Sequence, residues 1–283
     1  MGHPGHTGHG SHEVKKFLDL AFNVLGTMYA MESSQGQEPP VPPVIWMLPD
    51  QPARGPKPAH SREQIAAAAI ALADAEGLDA VTMRRVAADV GCGTMTLYRY
   101  VPTKDHLLDL MVDATAAELI PAEPGTGDWR ADLRAAAYRE RGRLLRHPWL
   151  ASLQAGRPSF GPNSLRLVEY GLGLIDHLGL DIDAMLVTFD TLVSFVRGSV
   201  IAELAGQEAR RRSGLDVRQW QASVAPYVRM LIDSGQYPMF TRIVEDAKLP
   251  HLDHGADEQF RRALEQVLDG LAANLPGPPG EVG

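Results

Sequence analysis

Apolar residues recur at helical spacing along most of this chain, and the clearest local pattern lies at residues 82–104. A stripe at positions i, i+3, i+4 and i+7 predicts a short helix, and it consists of Met83, Val86, Ala87 and Val90. Thr82 precedes the stripe and can accept a hydrogen bond from a free backbone N–H of the first turn. Gly91 follows the stripe and can end the helix without steric strain.

A second short helix is predicted over residues 94–101, after the turn Gly91-Cys92-Gly93. Because glycine adopts positive φ without strain, this turn lets the second helix leave at a steep angle. Leu97 and Val101 can anchor it inward. Its outer faces then carry Thr94, Met95, Thr96, Tyr98 and Tyr100. Such side chains suit a helix lying in a DNA major groove; the alternative is an ordinary helical hairpin with amphipathic tyrosines on its surface.

Two further helices flank this pair. Ser61 and Gln64 match a capping box, and the helix that they begin is predicted to end at Gly77. Its buried face is predicted to contain Ile65, Ala69 and Leu72. Thr103 is placed to cap a fourth helix. The apolar residues of that helix are Leu107, Leu108, Met111 and Leu119.

The remainder of the chain has helical patterns and no convincing alternating strand pattern. The predicted helices cover residues 128–146, 149–155, 163–177, 182–212, 216–233, 239–247 and 257–274. An all-α fold is therefore expected. The segment 121–127 contains two prolines and two glycines, so it is predicted to be a break and a domain boundary.

Two helices of this second part have contrasting patterns. The helix from residue 182 is apolar on nearly all sides, so it is expected to be covered on every side. Its apolar residues include Met185, Leu186, Val187, Phe189, Leu192, Val193, Phe195, Val196, Val200 and Ile201. The last helix has a single stripe made of Phe260, Leu264, Val267, Leu268 and Leu271.

The first sixty residues form an extension of different character. Residues 1–12 combine evenly spaced histidines with many glycines, which indicates a disordered or artificially added tail, or else a loose metal-binding tract. Residues 13–31 have the apolar spacing of an amphipathic helix. Residues 33–60 contain eight prolines and are predicted to be an extended linker. Arg54 and Lys57 near its end are placed either like a basic arm for a minor groove or in a solvated linker.

Composition and charge narrow the class of protein. The net charge is −8 over 283 residues, but residues 54–105 carry +1 and the remainder carries −9. A DNA-binding surface would therefore be small, local and salt-sensitive. The single cysteine excludes an intrachain disulfide and fits a reducing compartment. No apolar run approaches the roughly 20 residues of a membrane helix, so a cytoplasmic protein without membrane contact is expected.

Other chemistries have weaker signals. His251, Asp253 and His254 lie together, but Pro250 and Gly255 make the segment a loop, so metal binding is not expected. Cys92 is a lone thiol without a nearby resolving cysteine, so redox sensing is not expected. The chain shows no nucleophile–base pairing and no phosphate-cradling glycine loop, which argues against an enzyme. No cofactor is expected.

The helix-turn-helix unit resembles the TetR-type transcriptional repressors. The resemblance extends from Ser61-Arg-Glu-Gln-Ile through Gly77-Leu-Asp-Ala-Val-Thr-Met-Arg-Arg-Val-Ala to Thr96-Leu-Tyr-Arg-Tyr-Val-Pro-Thr-Lys104. Residues 129–275 look more loosely like the C-terminal domain of the tetracycline repressor, chiefly through Arg146-His-Pro-Trp149. The expected organisation is an extension (1–60), a DNA-binding domain (61–104), a connecting helix (105–120), a helical effector-binding and dimerisation domain (128–275) and a disordered tail (276–283).

The resemblance implies roles for individual residues. A base contact is implied for Arg84, and a base or phosphate contact for Arg99. Groove-facing positions are implied for Thr94, Met95 and Thr96. Phosphate contacts are implied for Thr82, Tyr98, Tyr100 and Lys104. A ligand pocket is expected in the helical domain 128–275, which we call the body. Its lining is expected to use Tyr138, His147, Trp149, Tyr170, His177, Met185, Phe189 and the polar Asp190.

The resemblance also implies how the protein works. Helices 182–212 and 257–274 are expected to form a homodimer interface, which would set two recognition helices about 34–36 Å apart on a palindromic operator. A small, largely apolar effector would release the repressor by binding the DNA-incompetent state more tightly. The alternative is a DNA-binding regulator that answers to a protein partner through residues 13–31.

Overall fold

A computed structural model describes residues 43–49, 60–153, 160–215, 217–247 and 255–275. The helices in these ranges are α1 Arg62–Glu76, α2 Met83–Val90, α3 Thr94–Tyr100, α4 Lys104–Ala116, α5 Trp129–Arg146, α6 Leu150–Leu153, α7 Pro162–Gly173, α8 Ile182–Ser213, α9 Val217–Asp233, α10 Pro238–Asp246 and α11 Gly255–Ala272. Short 3-10 helices lie at Ile45–Met47, Leu78–Ala80, Ala117–Leu119 and Asp176–Leu178. No strand occurs in the described ranges, and the all-α prediction is confirmed.

Local capping defines the helices of the N-terminal unit, as the sequence predicts. Ser61 and Gln64 form a complete capping box at the start of α1. The Thr82 hydroxyl accepts a hydrogen bond from the backbone N–H of Arg85 at 3.3 Å and caps α2. Gly91 ends α2 in the left-handed region with φ of 80°, where an L side chain would be strained. This turn sets α3 at its angle to α2.

The core of the N-terminal unit is formed where α1 packs against α2 and α4, and α2 against α3. Its fully buried side chains include Ile65, Val81, Val86, Leu97, Val101, Leu107 and Met111. Leu97 and Val101 anchor α3 inward, as predicted from their spacing. Because both are 0% exposed, α3 has one fixed orientation, and its opposite face is held toward solvent.

Part of the predicted extended linker is folded. Residues 43–49 contain the 3-10 helix Ile45–Met47, and the Ile45 side chain is 0% exposed. This segment packs against α4 and is also held by the side chain of Arg62. The prediction of an extended linker over the whole of 33–60 was therefore wrong for these residues, since an apolar side chain between the prolines finds a buried site.

Several predicted features lie outside the described residues. They are the histidine-rich tract at 1–12, the helix at 13–31, Arg54 and Lys57, the His251–His254 segment, and the tail at 276–283.

The chain divides into two compact units, Met1–Thr191 and Leu192–Gly283. The division falls within α8, whereas the sequence predicts the domain boundary at 121–127. The reason is that α4 and the following 3-10 helix Ala117–Leu119 contact α5 and α7 across that break. The first unit therefore contains the helix-turn-helix together with the first part of the body.

The second unit has a small core and long exposed helices. Phe195 stacks on Phe260 with ring centroids 5.5 Å apart, and Phe260, Leu264 and Leu268 of α11 are buried as their stripe predicts. Helices α9 and α10 instead expose most of their large apolar side chains. These are Trp220, Tyr227, Met230, Met239, Ile243 and Val244.

The long helix α8 is much less covered than its pattern predicts. By length and composition it is apolar enough to cross a membrane, with a mean hydropathy of 1.5 over an 18-residue window of which 22% is buried. The prediction that no apolar run approaches that length was therefore wrong for this helix. The same test is met by core helices of soluble proteins, so it does not assign α8 to a membrane.

Candidate nucleic-acid interface

Helix α3 separates its side chains sharply into a buried and an exposed set. Met95 is 79% exposed and Tyr98 is 41% exposed, whereas Leu97 between them is 0% exposed. Thr96 and Arg99 are exposed and Thr94 is half-buried. We call the surface formed by Thr94, Met95, Thr96, Tyr98 and Arg99 the reading face. It presents hydroxyl, thioether and guanidinium groups from one rigid helix.

Tyr100 does not belong to this face. The sequence predicts it on an outer surface, but its side chain is 6% exposed and packs in the core of the unit. It lies three residues after Leu97, on the same side of the helix. The prediction that Tyr100 is an outer-face residue was therefore wrong, and burial removes its side chain from the surface that can touch a phosphate.

The two arginines of α2 have different environments. The Arg85 guanidinium donates two hydrogen bonds to the Glu76 carboxylate, at 2.7 and 2.5 Å. This pair lowers the pKa of Glu76 and raises the pKa of Arg85. The neighbouring Arg84 is exposed. Arg85 is therefore paired with Glu76, whereas Arg84, the predicted base-contacting residue, has an exposed side chain.

Thr82 and Lys104 border the reading face at helix starts. The Thr82 oxygen accepts the capping hydrogen bond of α2, and its hydroxyl still has a proton to donate. Lys104 is the exposed first residue of α4. The helix is capped by Thr103, whose hydroxyl accepts from the backbone N–H of His106 at 3.1 Å. Both side chains are thus placed on rigid helix ends.

Cys92 in the turn has the environment of an unreactive thiol. It is half-buried, and burial raises its pKa above the ordinary value. A protonated thiol is a poor nucleophile and a poor metal ligand. Among the residues that the structure describes, no three His, Cys, Asp or Glu side chains come together as a metal-binding group.

In the body, Tyr170 and Phe189 lie in one region. The Arg139 guanidinium donates to the Tyr170 hydroxyl at 3.0 Å and lies 5.7 Å from the ring centroid. Phe189 packs so closely on Gly171 that a Cβ added there would lie 2.2 Å from its ring. Met185, one turn before Phe189, is 6% exposed, and the adjacent Asp190 is half-buried.

His147 and Trp149 lie elsewhere, against the helix-turn-helix. His147 Nδ1 is 2.8 Å from the Asp74 carboxylate of α1, and Nε2 is 3.1 Å from Glu118. The Trp149 indole N–H donates to the same Asp74 oxygen at 2.7 Å. The two ring nitrogens of His147 thus face one carboxylate each. These contacts connect the body to α1 and engage the polar side-chain atoms of His147 and Trp149.

The two remaining pocket candidates are surface residues. Tyr138 is 40% exposed, and His177 is exposed in the 3-10 helix Asp176–Leu178. Neither is placed as the wall of an enclosed cavity. The prediction placed eight residues around one pocket, whereas the described contacts pair Tyr170 with the unpredicted Arg139 and place Phe189 against the neighbouring Gly171.

Helix α4 is held by two sets of polar contacts that sequence reasoning missed, one buried and one partly buried. Arg143 of α5 is paired with Glu140 and donates to the Thr115 hydroxyl of α4 at 3.1 Å. Asp113 of α4 accepts from Asn163 and from the backbone N–H of Ser164 at 3.0 and 2.8 Å. The i, i+3 spacing of Glu140 and Arg143 was a local signal. Asp113 gave none, because its partners lie fifty residues away.

With this geometry in place, comparison with known proteins identifies both parts of the chain. Residues 65–111 match the family model described as bacterial regulatory proteins, tetR family. Residues 120–275 match the tetracyclin repressor-like C-terminal domain.

Curated relatives extend over most of the chain. The HTH-type transcriptional repressor DrrR1 of Streptomyces coeruleorubidus is 40% identical over 240 residues, which cover 84% of this chain and 87% of the relative. The class A tetracycline repressor from transposon 1721 of Escherichia coli is 28% identical over 222 residues, covering 75% and 93% respectively.

Solved structures of TetR family proteins are also similar to this chain. ActR of Streptomyces coelicolor in complex with actinorhodin has a TM-score of 0.62 at 27% identity, covering 76% of this chain and 98% of ActR. ActR in complex with (S)-DNPA has a TM-score of 0.61 at 26% identity, covering 77% and 100%. The family consists of DNA-binding transcription regulators that are not enzymes. This chain, with its capped helix-turn-helix and helical body, belongs to the TetR family.

Proposed function

We propose that this protein is a repressor that binds a near-palindromic operator as a homodimer and leaves it when a small molecule occupies the body. The observation that carries the proposal is the reading face of α3. Four of its five side chains are exposed and Thr94 is half-buried, on a helix that is anchored inward by Leu97 and Val101, both 0% exposed. A rigid exposed helix with a short polar surface fits a major groove.

Distinct roles follow from the chemistry of the exposed groups. The planar guanidinium of Arg84 can make a bidentate contact with guanine. Met95 and the flanking threonines can contact base edges and thymine methyl groups. Tyr98, Lys104 and Thr82 can hold phosphates, which fixes the register without reading sequence. Arg99 can serve either purpose.

Duplex binding by the full chain tests these roles. The duplex is one selected from random DNA by the native protein, compared with a scrambled duplex over a range of salt concentrations. We expect Lys104→Ala to weaken both complexes and to lower the salt slope by about one. Arg84→Ala is expected to cost about 1–3 kcal/mol on the selected duplex and to relax base preference at one position.

Arg166→Ala supplies the matched control, since Arg166 is an exposed arginine on α7 of the body. It should leave both affinities unchanged. The proposal fails if Arg84→Ala and Lys104→Ala behave like this control, or if the native protein selects no duplex at low salt.

Homodimerisation is proposed because of the apolar surface that a single chain leaves open. Ile182, Val187 and Ile201 of α8 are 58%, 67% and 48% exposed. Exposed apolar surface on this scale marks an interaction site. The proposed interface uses α8 and α11, and the exposed side chains of α9 and α10 suggest that these two helices also contribute.

The effector is proposed to bind near Arg139, Tyr170 and Phe189. Arg139 Nε is buried and has no hydrogen-bond partner among the residues that the structure describes, although buried polar atoms normally have one. The Tyr170 ring lies beside the guanidinium, and the buried Met185 together with Phe189, which packs on Gly171 next to Tyr170, is proposed to add apolar surface. We infer a largely apolar effector that carries one oxygen acceptor for the guanidinium. The similarity to ActR, whose structures are complexes with actinorhodin and with (S)-DNPA, supports a small-molecule effector for this chain.

Release requires that the effector favour a state in which the two reading faces no longer match the operator. Helix α4 is the proposed connection, because the buried side chains of Thr115 and Asp113 attach it to α5 and α7 through hydrogen bonds. The His147–Asp74 contact forms a second connection from the body to α1. Movement of α5 or α7 would therefore move the helix-turn-helix.

A further inference from the structure

The first residue of α1 has an unusual set of partners. Arg62 is 6% exposed, and its guanidinium donates to four backbone carbonyls. Nε donates to Tyr100 at 3.1 Å, Nη1 to Ile45 and Leu48 at 3.1 Å each, and Nη2 to Pro49 at 2.9 Å. A buried guanidinium is tolerated only where its donors are satisfied. Arg62 therefore depends on residues 43–49 for three of these hydrogen bonds.

The Tyr100 carbonyl connects Arg62 to α3. Tyr100 is the last residue of α3, and the last four carbonyls of a helix have no partner within it. A cation at this end also interacts favourably with the helix dipole. Arg62 thus caps α3 from another helix, and the same side chain that holds α3 is held in place by residues 43–49.

The segment is fixed from a second side by α4. Ile45 is 0% exposed, and His106 Nε2 of α4 lies 3.1 Å from the Pro43 carbonyl. Since a carbonyl only accepts, Nε2 carries the proton and donates. Residues 43–49 are therefore connected directly to α4 and to Arg62 of α1, and through Arg62 to α3, although they precede the family match at 65–111.

We propose that residues 43–49 are a plug that belongs to the DNA-reading unit, and that Arg62 is the positioning residue through which the plug orients α3. The inference rests on the proposed function in that α3 is taken to read DNA. Unseating the plug leaves Arg62 without three acceptors and loosens the last turn of α3. Base contacts require exact register, whereas phosphate contacts by exposed side chains tolerate a shift. Loss of the plug should thus reduce specificity more than affinity for random DNA.

The test uses full-length Ile45→Ser, which unseats the plug, and Arg62→Gln, which removes the cation. Met47→Ser is the matched control, because Met47 lies in the same 3-10 helix and is 77% exposed. Affinities are measured for the duplex selected by the native protein and for a scrambled duplex. We expect both plug variants to lose about tenfold on the selected duplex, as for one lost base contact, with an unchanged salt slope.

Arg62→Lys separates positioning from charge. It retains the cation, but a single ammonium cannot reach four carbonyls in the plane of a guanidinium. It is expected to behave like Arg62→Gln. If Arg62 instead binds phosphate, Arg62→Lys restores binding, Arg62→Gln weakens both duplexes equally, and its salt slope falls by about one. That outcome overturns the positioning role.

Hydrogen exchange measured without DNA keeps this test separate from the proposed function. Ile45→Ser should accelerate exchange of amides in the last turn of α3, such as those of Tyr100 and Val101, while amides in the core of α5 remain protected. Unchanged exchange in α3 overturns the plug even if the protein binds DNA. Accelerated exchange in a protein that selects no duplex sustains the plug and rejects the DNA-reading role.

Discussion

Within the helix-turn-helix, an exposed residue of the reading face and a buried residue of the core lie only two positions apart. Met95 is 79% exposed and Leu97, two positions later, is 0% exposed. Helical periodicity places successive residues about 100° apart, so alternating roles within seven residues are expected. The same periodicity returns Tyr100 to the side of Leu97. A tyrosine hydroxyl alone is therefore weak evidence for a surface position.

Cys92 gives a prediction at this scale. Burial raises the pKa of its thiol, so the reactive thiolate is scarcer at neutral pH than in an unfolded chain. We expect iodoacetamide to modify Cys92 more slowly in the folded protein than in urea-unfolded protein at pH 7. The alkylation rate of the folded protein should level off at a higher pH than that of the unfolded protein. Alkylation monitored by mass spectrometry measures both. Equal rates in the two states would instead support an activated, redox-sensitive thiol.

At the scale of the element, helix ends are stabilised in two ways. Ser61, Thr82 and Thr103 cap their own helices, and short-range patterns predicted all three. Asp113 instead acts across elements, because it accepts from the backbone N–H of Ser164 in the first turn of α7. A sequence motif cannot show this contact, since fifty residues separate donor and acceptor.

Asp113→Ala should destabilise the protein by about 1–3 kcal/mol, because it removes the buried acceptor of the hydrogen bonds from Asn163 and from the backbone N–H of Ser164. Asp113→Asn keeps an acceptor and is expected to lose less. Urea unfolding measures the effect as a lower midpoint with an unchanged slope. Equal stability of the native protein and Asp113→Ala would show that α7 does not depend on α4 for its cap.

At the scale of the whole molecule, α8 is an apolar helix that a single chain leaves largely uncovered. Its best apolar window is 22% buried, which is too little for a core helix. A second copy related by two-fold symmetry would cover both α8 helices with the same surface. The charge distribution fits this arrangement, since residues 54–105 carry +1 and the remainder carries −9, and negative charge outside the helix-turn-helix would repel DNA.

Val187→Glu tests the interface, as Val187 is 67% exposed in the single chain. Two-fold symmetry introduces the charge twice, so the dissociation constant of the dimer should rise about a hundredfold or more. Sedimentation velocity measures the shift to monomer. Leu165→Glu on α7, where Leu165 is 44% exposed, is the control and should leave the dimer intact. A native protein that sediments as a monomer at micromolar concentration would reject the interface.

The sequence by itself determined the helical fold class, the caps and the inward anchors of α3. Each of these depends on residues within a few positions of one another, where periodicity and capping chemistry act. Only the tertiary structure decided that Tyr100 is buried, that His147 joins the body to α1, and that residues 43–49 fold onto Arg62. Those contacts join residues far apart in the chain. Their formation depends on how packed helices bring single polar groups together, and no local pattern records that.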